Sequence, residues 1–301
     1  MTSLTQSDAR PASQHRLGLL LVAGAATVWS AGGPISRLIG TDPWTTVFWR
    51  SVSATLALLL FIAIRERGRV IPTFRRLGWP GLVMALCFAM GSTSFIVALR
   101  LTTVANVLIL QATAPFIAGI LGWILMGERV RPRSWLTMAA ALVGIVIMVW
   151  DSLTRGSLLG SLLSLLVGLG FAGAIVTTRR HHDVQMAPAT CLATIFGALV
   201  AAPFATPLAI STNDLALCCM FGAGQLAVGL ILFTYGARLA PAAEVGIVSV
   251  LENILGPVWV WLAFGENPGG AVILGGTIVL AALIVHTLLD LRSERPVPPA
   301  A

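Results

Sequence analysis

The sequence predicts an all-α integral membrane protein with ten transmembrane helices, built as two inverted five-helix repeats. Three observations carry that expectation: a composition too apolar for a soluble fold, ten apolar runs long enough to span a bilayer, and an internal repeat offset by 138 residues.

Of the 301 residues, 57% are hydrophobic and 10% charged, and mean hydropathy is +0.90. Soluble domains carry roughly 45–50% apolar and about 25% charged residues, so this chain has too little charge to solvate a globular surface. Its 30 glycines suit helices that pack closely in lipid. All 19 basic side chains are Arg, giving a net charge of +7. They gather in short segments between apolar runs, which is charge asymmetry across a membrane rather than a phosphate-binding stripe, and nucleic acid is not an expected partner. Cys87, Cys191, Cys218 and Cys219 all fall inside apolar runs without a CxxC pair. Neither a disulfide framework nor a metal site or cofactor is expected.

A hydrocarbon core about 30 Å thick needs roughly 20 apolar residues per helix. Runs at 17–39, 44–64, 79–99, 103–126 and 133–151, then 156–178, 186–207, 214–235, 241–264 and 268–290, meet that need. They are long and lack the alternation of lipid-facing strands. The first is too long for a signal-peptide core and is expected to remain as a span. This divides the chain into a polar N-terminal tail (1–16), a first unit (17–151), a second (156–290) and a Pro-rich tail (291–301) expected to be disordered. With the N-terminus in the cytoplasm, fifteen arginines fall in cytoplasmic segments, Arg100 and Arg155 in outer loops, and Arg37 and Arg50 within spans. The positive-inside rule therefore predicts both termini in the cytoplasm, and an inner-membrane location.

The segment 98–130 aligns without gaps on 236–268: Arg100 falls on Arg238, Leu101 on Leu239, Ala105 on Ala243, Trp123 on Trp261, and Gly127-Glu128 on Gly265-Glu266. Five spans per unit is an odd number, so the second unit enters the membrane from the opposite side. Inverted repeats of this kind typify secondary transporters, with the substrate site near the midplane between halves.

The string Ala98-Leu99-x-x-Thr102, then Ala105 with Pro115 ten residues on, Gly127-Glu128-Arg129, and Trp135-x3-Ala139-x2-Leu142-x-Gly144-Ile145 resembles the EamA repeat of the drug/metabolite transporter superfamily. Arg50 in span 2 and Trp29 in span 1 suit it too. Tandem copies cover essentially the whole chain. The second copy departs: Pro257 lies four residues beyond the position equivalent to Pro115, and Asn267 follows Glu266 where the first copy has Arg. Size and Trp content are similar to those of aromatic amino-acid exporters of the YddG type. The resemblance implies a ten-helix basket around a central cavity and export of small metabolites.

An Arg at membrane depth is costly and is expected to face a cavity or a partner. Arg50 therefore reads as a carboxylate-binding guanidinium, against snorkelling to the headgroups or a structural ion pair. Glu252 and Asn253 sit near the middle of span 9. Gly246, Ser249, Asn253 and Gly256 form a small, polar stripe on one helix face, with Glu252 at its edge. A packing seam explains the glycines but not a mid-membrane carboxylate. Glu252 is a candidate ammonium partner, proton site or counter-ion to Arg50. Gln225 lies between Gly222 and Gly229 on a face of span 8, and Asn106 and Gln111 lie on two sides of span 4. These amides line a cavity or make helix–helix hydrogen bonds worth about 0.6 kcal/mol each. Pro115 and Pro257 are each able to free backbone carbonyls mid-helix. Trp29 with Gly32-Gly33-Pro34 forms a bent, aromatic wall. Glu128 and Glu266 read as orienting groups that cap or bridge at the membrane surfaces.

No HExxH, GxSxG or phosphate-cradling motif occurs, and a lipid-modifying enzyme would need polar groups clustered at one interface. A small multidrug transporter would carry a Glu in span 1, and phosphorylated substrates would call for several converging cations. One cation with one anion suits a zwitterion. The expected partners are the bilayer and a small-molecule substrate, an amino acid foremost.

Overall fold

The computed structural model describes residues 12–127, 132–154, 157–181, 185–240 and 242–293. Every regular element among them is helical. The first span is two helices, α1 (Ala12–Ser30) and α2 (Gly32–Leu38), separated at Ala31. Pro34 has no N–H to donate to the Ser30 carbonyl one turn back, which accounts for the break. α3 (Pro43–Arg65) and α5 (Gly78–Leu101) are continuous, and a short helix between them, α4 (Val70–Arg75), was not expected from the sequence. The fourth span divides into α6 (Val104–Gln111) and α7 (Ala114–Met126), interrupted at Ala112–Thr113 just before Pro115. α8 (Pro132–Thr154), α9 (Leu158–Arg180) and α10 (Met186–Ala201) follow. The eighth span is α11 (Thr212–Cys219), a π-helical stretch (Met220–Ala227) and α12 (Val228–Gly236). α13 (Ala242–Phe264) and α14 (Gly270–Ser293) complete the described chain.

Six of these helical stretches are long and apolar enough to cross a membrane, and four shorter apolar helices lie at the remaining expected positions. One expectation fails. α13 runs through Pro257 without interruption, because the proline removes a single hydrogen bond while packing against α1, α6 and α14 holds the helix on either side. α14 also continues past Asp290 to Ser293; the rest of that tail, residues 1–11 and Glu128 lie outside the described residues.

α5 packs on α9, α3 on α10 and α8 on α14, while α1 lies between α12 and α13. The largest buried cluster joins α2, α3, α5, α6, the π stretch and α13 through Ile35, Val47, Phe95, Leu99, Val104, Leu108, Phe221 and Val260. It closes the end of the molecule that carries Arg37. Lipid tails are as apolar as these side chains, so tight packing and dispersion, more than exclusion from water, hold the plug. Leu20, Leu136, Trp150, Leu199 and Leu262 are each more than 60% exposed and form the lipid-facing exterior.

Candidate substrate site

Asp42 starts α3 as an N-cap, accepting from the N–H groups of Trp44 and Thr45, both at 2.9 Å. Partial burial pushes its carboxyl up, but hydrogen bonds from Thr45 and Trp44 outweigh this and hold it below the ordinary carboxylate range. Two turns on, Arg50 is buried, only 5% exposed. Its Nη1 donates to Ser92 Oγ on α5 at 2.7 Å, and its Cζ stands 4.6 Å from the centre of the Phe221 ring. Its Nε is buried without a partner, and no carboxylate pairs with it among the described residues. Arg50 is thus neither at a surface nor in an ion pair.

The π stretch reaches Arg50 because residue 222 is glycine. A Cβ there would run into Ser53 Oγ and the Arg50 carbonyl oxygen. Ser53 Oγ in turn donates to the carbonyls of Arg50 (3.0 Å) and Cys218 (3.3 Å), joining α3 to α11. We expect Gly222→Ala to cost on the order of 1–3 kcal/mol, as overpacking does, because backbone atoms on α3 block it. A chemical-denaturation or melting series in detergent would measure the loss; an unchanged midpoint would contradict the close approach.

One turn further, Gln225 Nε2 donates to the Trp29 carbonyl at 2.8 Å, and the Trp29 ring lies 5.4 Å from Phe233. Trp29 Nε1 and Gln225 Oε1 are both buried without partners. Arg50 with Phe221, and Gln225 with Trp29 one turn along, thus form two neighbouring buried groups, each with an unused donor or acceptor.

A second group lies on α13. Glu252 shares its helix face with Val245, Gly256 and Trp259. The Trp259 indole donates to Ser30 Oγ at 3.0 Å, and Gly256 abuts Leu108 and the Ser30 carbonyl. The face is thus turned toward α1 and α6. Glu252 keeps partial exposure, with no side-chain hydrogen bond or ion pair among the described residues. Asn253 Oδ1 and, on α6, Gln111 Oε1 are buried without partners. Ser249 Oγ is spent on the Val245 carbonyl at 2.8 Å.

Arg50 and Glu252 do not meet. Phe221 sits against Gly32, and Gly33 sits against Val260, which places Arg50 near the level of Val260. Glu252 is two turns further along α13, roughly 12 Å at 1.5 Å per residue. Asn106 also stands apart: it is buried at 1% exposure, and its Nδ2 donates to Ser161 Oγ (2.7 Å) and Thr102 Oγ1 (3.1 Å), tying α6 to α9.

Glu266 both bridges and caps. Its carboxylate pairs with Arg37 Nε at 2.7 Å and accepts from the Val104 N–H, at the start of α6, at 2.7 Å. Arg37 also donates to the carbonyls of Leu99 and Thr102. Sequence reasoning missed Ser92 and Phe221, although Phe221 directly precedes the glycine that opens the small-residue face of span 8.

Residues 16–150 match the EamA-like transporter family. Over 294 residues the chain is 28% identical to the riboflavin transporter of Rhizobium johnstonii, covering 91% of this chain and 94% of that one. It is 27% identical to the pseudopaline exporter CntI of Pseudomonas aeruginosa, covering 79% and 84%, and 22% identical to protein RarD of Escherichia coli, covering 94% and 98%. A solved crystal structure superposes with a TM-score of 0.65 at 18% identity, over 94% of this chain and 100% of that one, a likeness of fold. With transporters among its full-length relatives, the chain is a multi-pass membrane transporter, not an enzyme, whose residues 16–150 carry a domain of the EamA-like transporter family.

Proposed function

We propose that this transporter exports small zwitterionic metabolites, amino acids foremost, from the cytoplasm across the inner membrane by alternating access between two inverted five-helix halves. The observation that carries the substrate reading is Arg50: a buried guanidinium stacked on Phe221, with an unused Nε and no acid beside it. A carboxylate is the group that satisfies such a cation by charge-assisted hydrogen bonds. Glu252, accessible and unpaired on the inward face of α13, offers the opposite charge to an ammonium. Trp29, Gln225, Gln111 and Asn253 supply aromatic faces and amides between them. Ser249 has its hydroxyl engaged within the protein and Asn106 its Nδ2, while Asn106 Oδ1 is buried without a partner; both shape the cavity walls.

Two features support inverted halves. Gly127 and Gly265, 138 residues apart, end α7 and α13 in the same left-handed conformation, with φ of 67° and 65°. α1 begins beside Gly236 and Leu239, whereas α9 begins beside Leu101 and Thr102, near the end of α2; the first helices of the two halves thus start from opposite ends. In a background lacking the four native cysteines, single cysteines at positions 128 and 266 are expected to label from opposite sides of the membrane. Labelling of both from one side would overturn the inversion.

A second reading, a planar heteroaromatic substrate, is favoured by the Trp29–Phe233 ring pair and by the riboflavin named for the Rhizobium relative; aromatic amino acids, as in YddG-type exporters, would stack on the same pair. Competition uptake into proteoliposomes, with and without a pH gradient, separates the readings. We expect amino acids to compete and their decarboxylated amines to fail. Competition by riboflavin alone would replace the first reading with the second, and competition by sugar phosphates would exclude both.

A further inference from the structure

The end of the molecule opposite Arg37 carries cations that the protein leaves unanswered. Arg67, Arg69, Arg75 and Arg76 surround α4, all exposed, and none has a side-chain hydrogen bond or ion pair among the described residues. In the same elbow only Arg65 is engaged, with Glu66 at 3.8 Å and over the Tyr235 ring at 5.7 Å. α5 and α9 run antiparallel, with Cys87 against Gly170 and Gly173, which brings exposed Arg180 at the end of α9 to the same corner. At the other end, by contrast, the described arginines are engaged within the protein: Arg37 by Glu266 and two carbonyls, Arg100 through Nη2 by the carbonyls of Ile39 and Thr41 at 2.8 Å, although its Nε has no partner.

Between α4 and the start of α10 lies a cavity of about 370 Å³ lined by Thr73, Arg76, Leu77 and Gln185. Leu77 is fixed beneath it by packing with Met84, Ala174 and Ala189. Ile64, Ile71 and Trp79, exposed at 71%, 68% and 73%, flank the same elbow.

We propose that the α4 elbow is a headgroup site for an anionic phospholipid. Arg76, with Arg75 beside it, takes the phosphate in the bidentate manner suited to guanidinium. The Gln185 amide reaches the polar part of the headgroup. Ile64, Ile71 and Trp79 lie along the acyl chains at the interface, where Trp is favoured. The apolar flank is what selects a lipid over free phosphate, because a soluble anion would leave those side chains uncovered. Clusters of arginine beside a transmembrane helix are the general form of such a site.

The test is native mass spectrometry of the full-length protein, titrated with phosphatidylglycerol against phosphatidylcholine of the same chain length. We expect one phosphatidylglycerol retained in preference to phosphatidylcholine. Arg76→Gln should weaken that preference roughly five-fold, while Arg16→Gln, which removes an exposed charge near the start of α1, at the same end of the molecule but on another helix, should leave it unchanged. Gln185→Ala, at an exposed position, carries the same test if Arg76→Gln does not purify. Equal retention of the two lipids overturns the site, as does an Arg16→Gln variant that loses as much as Arg76→Gln, which would signify diffuse charge. Displacement of the lipid by millimolar inorganic phosphate would reassign the site to a soluble anion.

Discussion

Arg50→Ala is expected to lower the apparent affinity for a carboxylate-bearing substrate by about 10- to 150-fold, since a hydrogen bond to a charged group is worth roughly 1.5–3 kcal/mol. The substitution also removes the hydrogen bond to Ser92 and the stack on Phe221. It leaves no carboxylate stranded, because no acid pairs with Arg50, so the large penalty for breaking a buried ion pair does not apply. The fold should survive. Glu252→Gln is expected to weaken recognition of the ammonium end by a similar factor. The two residues lie roughly 12 Å apart along the α13 axis, and changes at such a distance usually add. The double variant should therefore lose the product of the two factors. Uptake of an amino acid measured against its decarboxylated amine reads the first effect, and against its deaminated acid the second. A well-folded Arg50→Ala variant with wild-type affinity and normal discrimination against the amine would end the carboxylate assignment. A double variant that recovers activity lost in both singles would mean that the charges pair in another conformation.

An α-amino acid is short compared with the spacing of these two charges. In the conformation described, such a substrate touches one of them at a time, and passage from Glu252 toward Arg50 follows the path from mid-membrane to the plugged end. An elongated zwitterion would span both at once. The competition panel therefore gains from ω-amino acids and dipeptides: a preference rising with the separation of the charged ends would show simultaneous contact, and a preference for α-amino acids would show sequential contact.

The helices were legible because hydropathy and length are one-dimensional properties, and each apolar run contains helix, although the run at 186–207 is helical only to Ala201. Interruptions were legible only in part. Gly32-Gly33-Pro34 and Pro115 mark real breaks at Ala31 and Ala112–Thr113, whereas Pro257 does not, because neighbouring helices rather than local chemistry decide whether a helix missing one hydrogen bond stays straight. The π stretch left no signature. It carries the contact of Gly222 with α3, and a glycine in a membrane helix has many other uses. In the candidate site, Arg50 and Glu252 stood out because charge in an apolar run is costly, while Ser92 and Phe221 did not, since serine and phenylalanine are ordinary there. Arg37 and Glu266 were each noticed, but their partnership is a fact of packing. The α4 helix escaped because six residues are too few to display a period.

Cross-linking positions 37 and 266 as cysteines, with a short bifunctional reagent in a background lacking the four native cysteines, is expected to reduce transport to the background level while leaving the protein folded. Three contacts define the seam involved: His15 Nε2 to Glu244 at 2.8 Å, Trp259 Nε1 to Ser30 Oγ at 3.0 Å, and Arg37 Nε to Glu266 at 2.7 Å, each joining residues 229 apart. A constant offset means that the α1–α2 run and α13 lie parallel and in register from one end of the molecule to the other. In the proposed alternating access they belong to different halves, and rocking of those halves would part this seam at one end. The plug beside Arg37 marks that end as the closed one here. Glu266→Gln, by contrast, should loosen it without a tether. Both partners of the pair are about one-fifth exposed, and a partly solvated pair of this kind is worth on the order of 1 kcal/mol, enough to shift a two-state population several-fold. A membrane-impermeant thiol reagent should then reach a cysteine at Gly33 several-fold faster than in the parent. The result that would overturn this mechanism is undiminished flux in fully cross-linked protein: the seam would then be a fixed strut, and the moving elements would have to be sought among α3, α5 and α9–α10.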